Sequence, residues 1–134
     1  MREKSTSELT GRLKLVGCSL GNCVHVAGVA NFLRLAESNG FTTILLGAAV
    51  PPQILTERLA EIQPAAACVS YRLTPENCRH VLNKLKEALA TINFHGKLLF
   101  GGTAATVAVA EELGMFDYCF IGGENMDRIT AVFE

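Results

Sequence analysis

Arg12-Leu13-Lys14-Leu15-Val16-Gly17, then Cys18-Ser19-Leu20-Gly21-Asn22, then Cys23-Val24-His25-Val26-Ala27-Gly28, is the stretch on which the fold turns. The first block alternates and then becomes apolar, as a buried strand does, and the Gly, Ser and Asn that follow have loop character. Beyond it, Val26, Val29, Phe32, Leu33 and Ala36 recur at helical spacing up to Ser38, and Asn39-Gly40 closes the stripe as a C-cap. A strand feeding a loop that opens a helix is half of a βαβ unit. The rest of the chain decides whether that unit repeats.

It repeats four times. Phe41–Leu46 is β-branched and apolar, Gly47–Pro52 breaks it, and Pro51 and Pro52 suit the opening of a helix through Ile62. Ala65–Ser70 reads as a short buried strand before a helix starting at Thr74-Pro75-Glu76. That helix carries Val81, Leu82, Leu85, Ala88 and Leu89 on one stripe, and Asn93–Gly96 follows it. Lys97–Phe100 is a fourth strand, Ala104–Leu113 a small-residue helix ended by Gly114, Tyr118–Ile121 a fifth strand, and a short helix is expected from Glu124. Regular βα alternation with short apolar strands predicts a parallel sheet covered on both faces, since each crossover must be right-handed. Five strands predict one doubly wound, flavodoxin-like α/β domain of order 2-1-3-4-5, spanning residues 12–134 behind a polar segment 1–11.

Composition narrows the function. With 134 residues and 49% hydrophobic content, the chain can bury one core without staples. Twelve basic and 13 acidic residues give a net charge of −1, without the basic footprint of nucleic-acid or anionic-membrane binding. Neither partner is expected. Five cysteines lie mostly in apolar runs, the N-terminus lacks the apolar core of a signal peptide, and no run reaches membrane-spanning length. A reducing, cytoplasmic setting is the expectation.

In a doubly wound sheet, ligands bind beyond the carboxyl ends of the strands, where strand order reverses between the first and third. The loops that matter are then Cys18–Gly28, Gly47–Pro52, Tyr71–Pro75, Gly101–Thr106 and Gly122-Gly123. A phosphoacceptor receiver would need acidic residues there, but the first strand leads into Gly17-Cys18-Ser19 and the third into Ser70-Tyr71-Arg72. A flavin carrier would want a hydroxyl-rich first loop, and this one offers only Ser19. No G-x-G-x-x-G or G-x-x-x-x-G-K supplies the glycines of a nucleotide site. Zinc at Cys18, Cys23 and His25 with Cys78 and His80 is disfavoured, because residues two apart on a helix face different ways.

His25 and Gly28, Ser70, and the pair Gly101-Gly102 follow three successive sheet-centre strands. In this arrangement the chain resembles the B12-binding domain family, whose marks are Asp-x-His-x-x-Gly, Ser-x-Leu and Gly-Gly. Two positions depart from it: Cys23 stands for the Asp and Arg72 for the Leu. Leu46–Pro52 also resembles the second loop of corrinoid proteins that serve methyltransferases. The resemblance implies cobalamin (methylcobalamin, adenosylcobalamin or a related corrinoid) as cofactor, with His25 as a ligand to cobalt. It implies a cofactor-binding set of Cys23, His25, Gly28, Ser70, Arg72, Gly101, Gly102 and Thr103. Ser70 would bond the tail base, and the family's Asp would hold the distal imidazole nitrogen, a second-layer contact that here falls to Cys23. Bulk at Gly28, Ser70 or Gly101 would block the tail.

Each mark also has a plainer meaning. His25 could be a polar loop residue, Gly28 a helix-packing glycine, Ser70 a strand-end cap, Gly101-Gly102 an ordinary turn, and Arg72 a solvated charge or a contact to a corrinoid amide or phosphate. No acid–base pair or activated nucleophile is legible, so no catalytic residue is assigned. The expected role is a cofactor-binding component that presents a corrinoid to a partner, a mutase subunit or a methyltransferase. The polar dozen residues before the first strand are nearer the layout of the small B12 subunits of mutases than that of methyl carriers with a helical cap. The alternatives are a non-catalytic corrinoid carrier or sensor, and a non-corrinoid α/β binding module.

Overall fold

The computed structural model of the protein describes residues 13–121. The predicted terminal helix from Glu124, the Gly122-Gly123 turn and the polar segment 1–11 lie outside them. Within them the elements are β1 (Lys14–Leu20), α1 (Ala27–Ser38), β2 (Thr42–Val50), α2 (Pro52–Ile62) and β3 (Ala66–Tyr71). They continue as α3 (Pro75–Leu89), β4 (Lys97–Gly102), α4 (Ala104–Leu113) and β5 (Tyr118–Phe120). The strands form one parallel sheet of order β2-β1-β3-β4-β5, the predicted flavodoxin-like arrangement.

Local chemistry fixes the helix ends. Thr74 caps α3 by accepting from the Asn77 amide, and Thr103 and Thr106 form a capping box on α4. Gly114 ends α4 in the left-handed conformation. By contrast, Val26 precedes α1 without any side-chain cap, leaving its first-turn amides without a side-chain acceptor.

Two strands run further than their residues predict. β1 continues through Cys18, Ser19 and Leu20, and β2 through Gly47–Val50, although both stretches read as loop. The reason is a pair of register shifts: Cys18 pairs with Gly47 and Leu20 with Val50, so β2 carries extra residues that bulge without ending the ladder. Gly47 takes φ 114° and Ala49 φ 53°, the backbone distortion that makes such a stretch look like a loop.

The two faces of the sheet hold separate cores. Val16, Val69, Phe100, Leu55, Leu59, Leu82 and Leu85 pack between the sheet and α2, α3 and α4. Leu15, Cys68, Leu99, Val29, Phe32 and Leu33 pack beneath α1. Alternate residues of each strand serve alternate faces, as the period of two requires. Gly17 allows α1 its close approach, since a Cβ there would lie 2.7 Å from the Val29 side chain. That packing glycine went unrecognised in the sequence.

Candidate functional site

At the carboxyl ends of β3 and β4 the described residues leave the α1 face of the sheet unfilled. A cavity of about 130 Å³ opens there, walled by His25, Gly28 and Val29 from the α1 side and by Ser70, Arg72 and Gly101 from the sheet. Gly102, Phe120 and Ile121 complete it. Six of the eight sequence-assigned residues therefore meet at one place.

The other two lie close by with different work. Cys23 is fully buried and its Sγ lies 3.6 Å from His25 Nδ1, within reach of a sulfur hydrogen bond. Thr103 is outside the cavity wall, with its side chain engaged in the α4 cap.

Ser70 is the most informative member. Its side chain is buried, with the residue only 5% exposed, and among the described residues its Oγ has no hydrogen-bond partner. Such a group costs about 1–3 kcal/mol unless something supplies the missing bond. The strand-cap reading of Ser70 predicted a backbone partner, and none is present.

The three glycines differ. A Cβ at Gly28 would meet no atom of the described residues within 4 Å, so packing among them does not require a glycine there and leaves the space beside it open. At Gly102 a Cβ would overlap the Thr106 hydroxyl and lie 2.6 Å from the Tyr71 carbonyl, so this glycine serves packing on the opposite face. Its backbone still borders the cavity, and its carbonyl accepts from Arg72 Nη1 at 3.4 Å. At Gly101 a Cβ would stand 3.0 Å from the Phe120 ring. Part of the room expected under Gly101 is thus taken by Phe120, whose ring stacks on Phe32 at 5.5 Å.

The loop carrying His25 is held to the end of β2. Ser19, fully buried in β1, donates its hydroxyl to the Cys23 carbonyl at 2.7 Å and accepts from the Ala49 amide at 3.1 Å. The same amide donates to the Cys23 carbonyl at 3.0 Å, and Gly21 N–H donates to the Val50 carbonyl at 2.8 Å. This network holds Ala49 in its left-handed conformation, which costs a non-glycine residue about 1 kcal/mol or more. Beneath the loop, the buried Tyr71 donates to Asn22 Oδ1 at 2.8 Å, and Asn77 Nδ2 donates to the same oxygen at 2.7 Å and to the Tyr71 hydroxyl. Sequence reasoning took Ser19 for a loop hydroxyl and gave Asn22, Tyr71, Asn77 and Phe120 no role. Strand parity was the available signal, for it puts Phe120 on the same face as Ser70 and Gly101.

Three of the buried thiols, those of Cys18, Cys68 and Cys78, are poorly suited to chemistry. Burial pushes Cys18 and Cys78 up to about 12 and Cys68 higher still. Cys78 is buried while His80 is exposed, and among the described residues no three His, Cys, Asp or Glu side chains come together to hold a metal. No helix among the described residues is long and apolar enough to cross a membrane.

Comparison with known proteins bears on the fold and the family. No curated protein matches the chain. Among solved structures, a cobalamin-binding protein from Desulfitobacterium hafniense DCB-2 superimposes with a TM-score of 0.72 at 25% identity, over 92% of this chain and 60% of that one. The chain thus spans less than two thirds of that protein. The signal receiver domain of NarL from Mycobacterium tuberculosis superimposes with a TM-score of 0.50 at 15% identity, over 90% of this chain and 94% of that domain, a likeness of fold alone. The sequence model of the B12-binding domain matches residues 13–130, and the chain belongs to that family.

Proposed function

We propose that the chain holds a cobalamin or related corrinoid with its nucleotide tail in the cleft between α1 and the sheet, and presents it to a partner protein. The observation that carries this reading is the buried Ser70 Oγ without a partner, facing a cavity that also touches His25 and Gly28. A heterocyclic nitrogen on the tail base would accept its hydrogen bond. The open space beside Gly28 gives the tail a path. The fit requires some widening, since about 130 Å³ is below the roughly 300 Å³ of an ordinary ligand pocket. Phe120, half-buried and against Gly101, is the side chain whose displacement enlarges it.

His25 is exposed, next to the cavity, and its Nδ1 faces Cys23 Sγ. For Nε2 to offer its lone pair to cobalt, Nδ1 must keep its proton and donate it to the sulfur, a weak acceptor. Cys23 therefore orients the ring but raises its basicity less than a carboxylate would. The bound corrinoid supplies the organometallic reactivity, and the chain supplies binding, orientation and exclusion of the tail from solvent. Among the described residues the cleft holds no acid–base pair or activated nucleophile, and this reading assigns turnover to a partner, a mutase subunit or a methyltransferase.

The test is incubation with aquocobalamin, removal of free ligand, and a visible spectrum. The reading expects stoichiometric retention and a spectrum that His25→Ala alters, while Cys23→Asp strengthens the histidine-ligated signature. Absence of retained corrinoid would leave a non-corrinoid binding module. Robust mutase or methyl-transfer activity from the purified chain with cofactor alone would overturn the need for a partner.

A further inference from the structure

We propose that Arg72 anchors the phosphodiester of the corrinoid's nucleotide tail, and that this chain consequently selects complete corrinoids over those truncated before the nucleotide. The inference rests on the proposed function and adds a specificity to it. Ser70 and Arg72 are two residues apart at the end of β3, and both border the cavity. They divide it by depth: Ser70 is buried and Arg72 exposed. In a nucleotide tail the phosphate lies between the corrin ring and the base. A base that reaches Ser70 therefore leaves its phosphate nearer the surface, on the Arg72 side.

The electrostatics favour an anion there. Among the described residues Arg72 makes one hydrogen bond, the 3.4 Å contact to the Gly102 carbonyl, which is long for N–H···O, and no carboxylate pairs with it. A guanidinium has five donors in a planar fork, so most remain for a ligand, and phosphate oxygens match that fork. Among the described residues of the cavity wall the ionisable ones are His25 and Arg72, and neither is acidic. From the other side α1 presents the positive end of its dipole, uncapped by any side chain, with Gly28 in its first turn on the cavity wall.

The test compares aquocobalamin with diaquocobinamide, which has no nucleotide, on the full chain and its R72L and R72K variants. R72L should weaken cobalamin binding by about tenfold and cobinamide binding by less than twofold, with R72K between wild type and R72L for cobalamin alone. Equal losses for both ligands, or no loss for either, would overturn the phosphate assignment while leaving corrinoid binding intact. A wild-type chain that binds neither ligand would overturn both. Should R72L fail to fold, R72K carries the comparison, since it keeps the charge and removes the fork.

Discussion

Ser70 and Tyr71 are neighbours on β3, Gly101 and Gly102 are neighbours on β4, and within each pair the two residues meet opposite surroundings. Tyr71 points to the α2–α4 face, where its hydroxyl is bonded to Asn22 and Asn77 and its carbonyl accepts from the Thr106 hydroxyl at 2.8 Å. Ser70 points to the α1 face, and its hydroxyl has no partner among the described residues. Gly102 is a glycine because Thr106 and the Tyr71 carbonyl leave no room, whereas Gly101 faces an aromatic side chain at the edge of a cavity. One face of the sheet is closed by the chain's own residues. On the other, at its carboxyl end, the Ser70 hydroxyl and the Gly28 backbone border a cavity among the described residues.

The largest effect expected from this contrast is steric. Gly102→Val should destabilise the domain by about 3 kcal/mol in urea unfolding, because the added carbons overlap packed backbone and side chain. Gly28→Leu should leave stability within about 1 kcal/mol of wild type, gaining helix propensity, and yet weaken corrinoid binding by well over tenfold. A Gly28→Leu protein that unfolds like Gly102→Val would erase the contrast.

The hydroxyls sharpen it on a smaller scale. Tyr71→Phe should cost about 1–2 kcal/mol, since Asn22 and Asn77 lose a partner. Ser70→Ala should be neutral or stabilising by up to about 1 kcal/mol in the free protein, because it removes an unsatisfied buried group. The same change should lower corrinoid affinity about tenfold, so denaturation and binding move in opposite directions. Ser19→Ala should cost about 1 kcal/mol, speed hydrogen exchange at the Ala49 amide and reduce the histidine-ligated fraction of bound corrinoid.

The smallest effect is that of pH. The folded pKa values of Cys18 and Cys78 are raised by burial from 9.0 to about 12, so above pH 9 the unfolded chain loses thiol protons that the folded chain keeps. With fewer protons on the unfolded state, stability falls as pH rises, in a window from about 9 to 12. At the onset of that fall, as pH nears 9, the two thiols together should contribute less than about 1 kcal/mol. Urea midpoints of Cys18→Ala and Cys78→Ala variants, whose stability should drop less steeply with pH, check it.

The alternation of elements, the sheet order and the convergence of His25, Gly28, Ser70, Arg72 and Gly101 were legible because they follow from periodicity and from strand ends, which are local. The extensions of β1 and β2 were not. Glycine and serine at Gly17, Ser19 and Gly47 look like breakers, and only cross-strand pairing reveals a bulged ladder. Likewise, the unsatisfied state of Ser70, the role of Ser19 and the partial filling by Phe120 depend on residues distant in the chain. Gly28 and Gly102 look alike in sequence. What each Cβ would meet separates them, and that is a property of the packed molecule.

The account stands or falls on whether the corrinoid loses its own base from cobalt and gains His25. Reduced Co(II) cobalamin bound to nitrogen-15-labelled protein should be examined by electron paramagnetic resonance, where one axial nitrogen splits the cobalt lines. A protein imidazole carrying nitrogen-15 gives a two-line splitting that His25→Ala abolishes, which is the result expected here. A three-line splitting from the cofactor's own unlabelled base, unchanged by His25→Ala, would contradict both the buried tail and the histidine ligand.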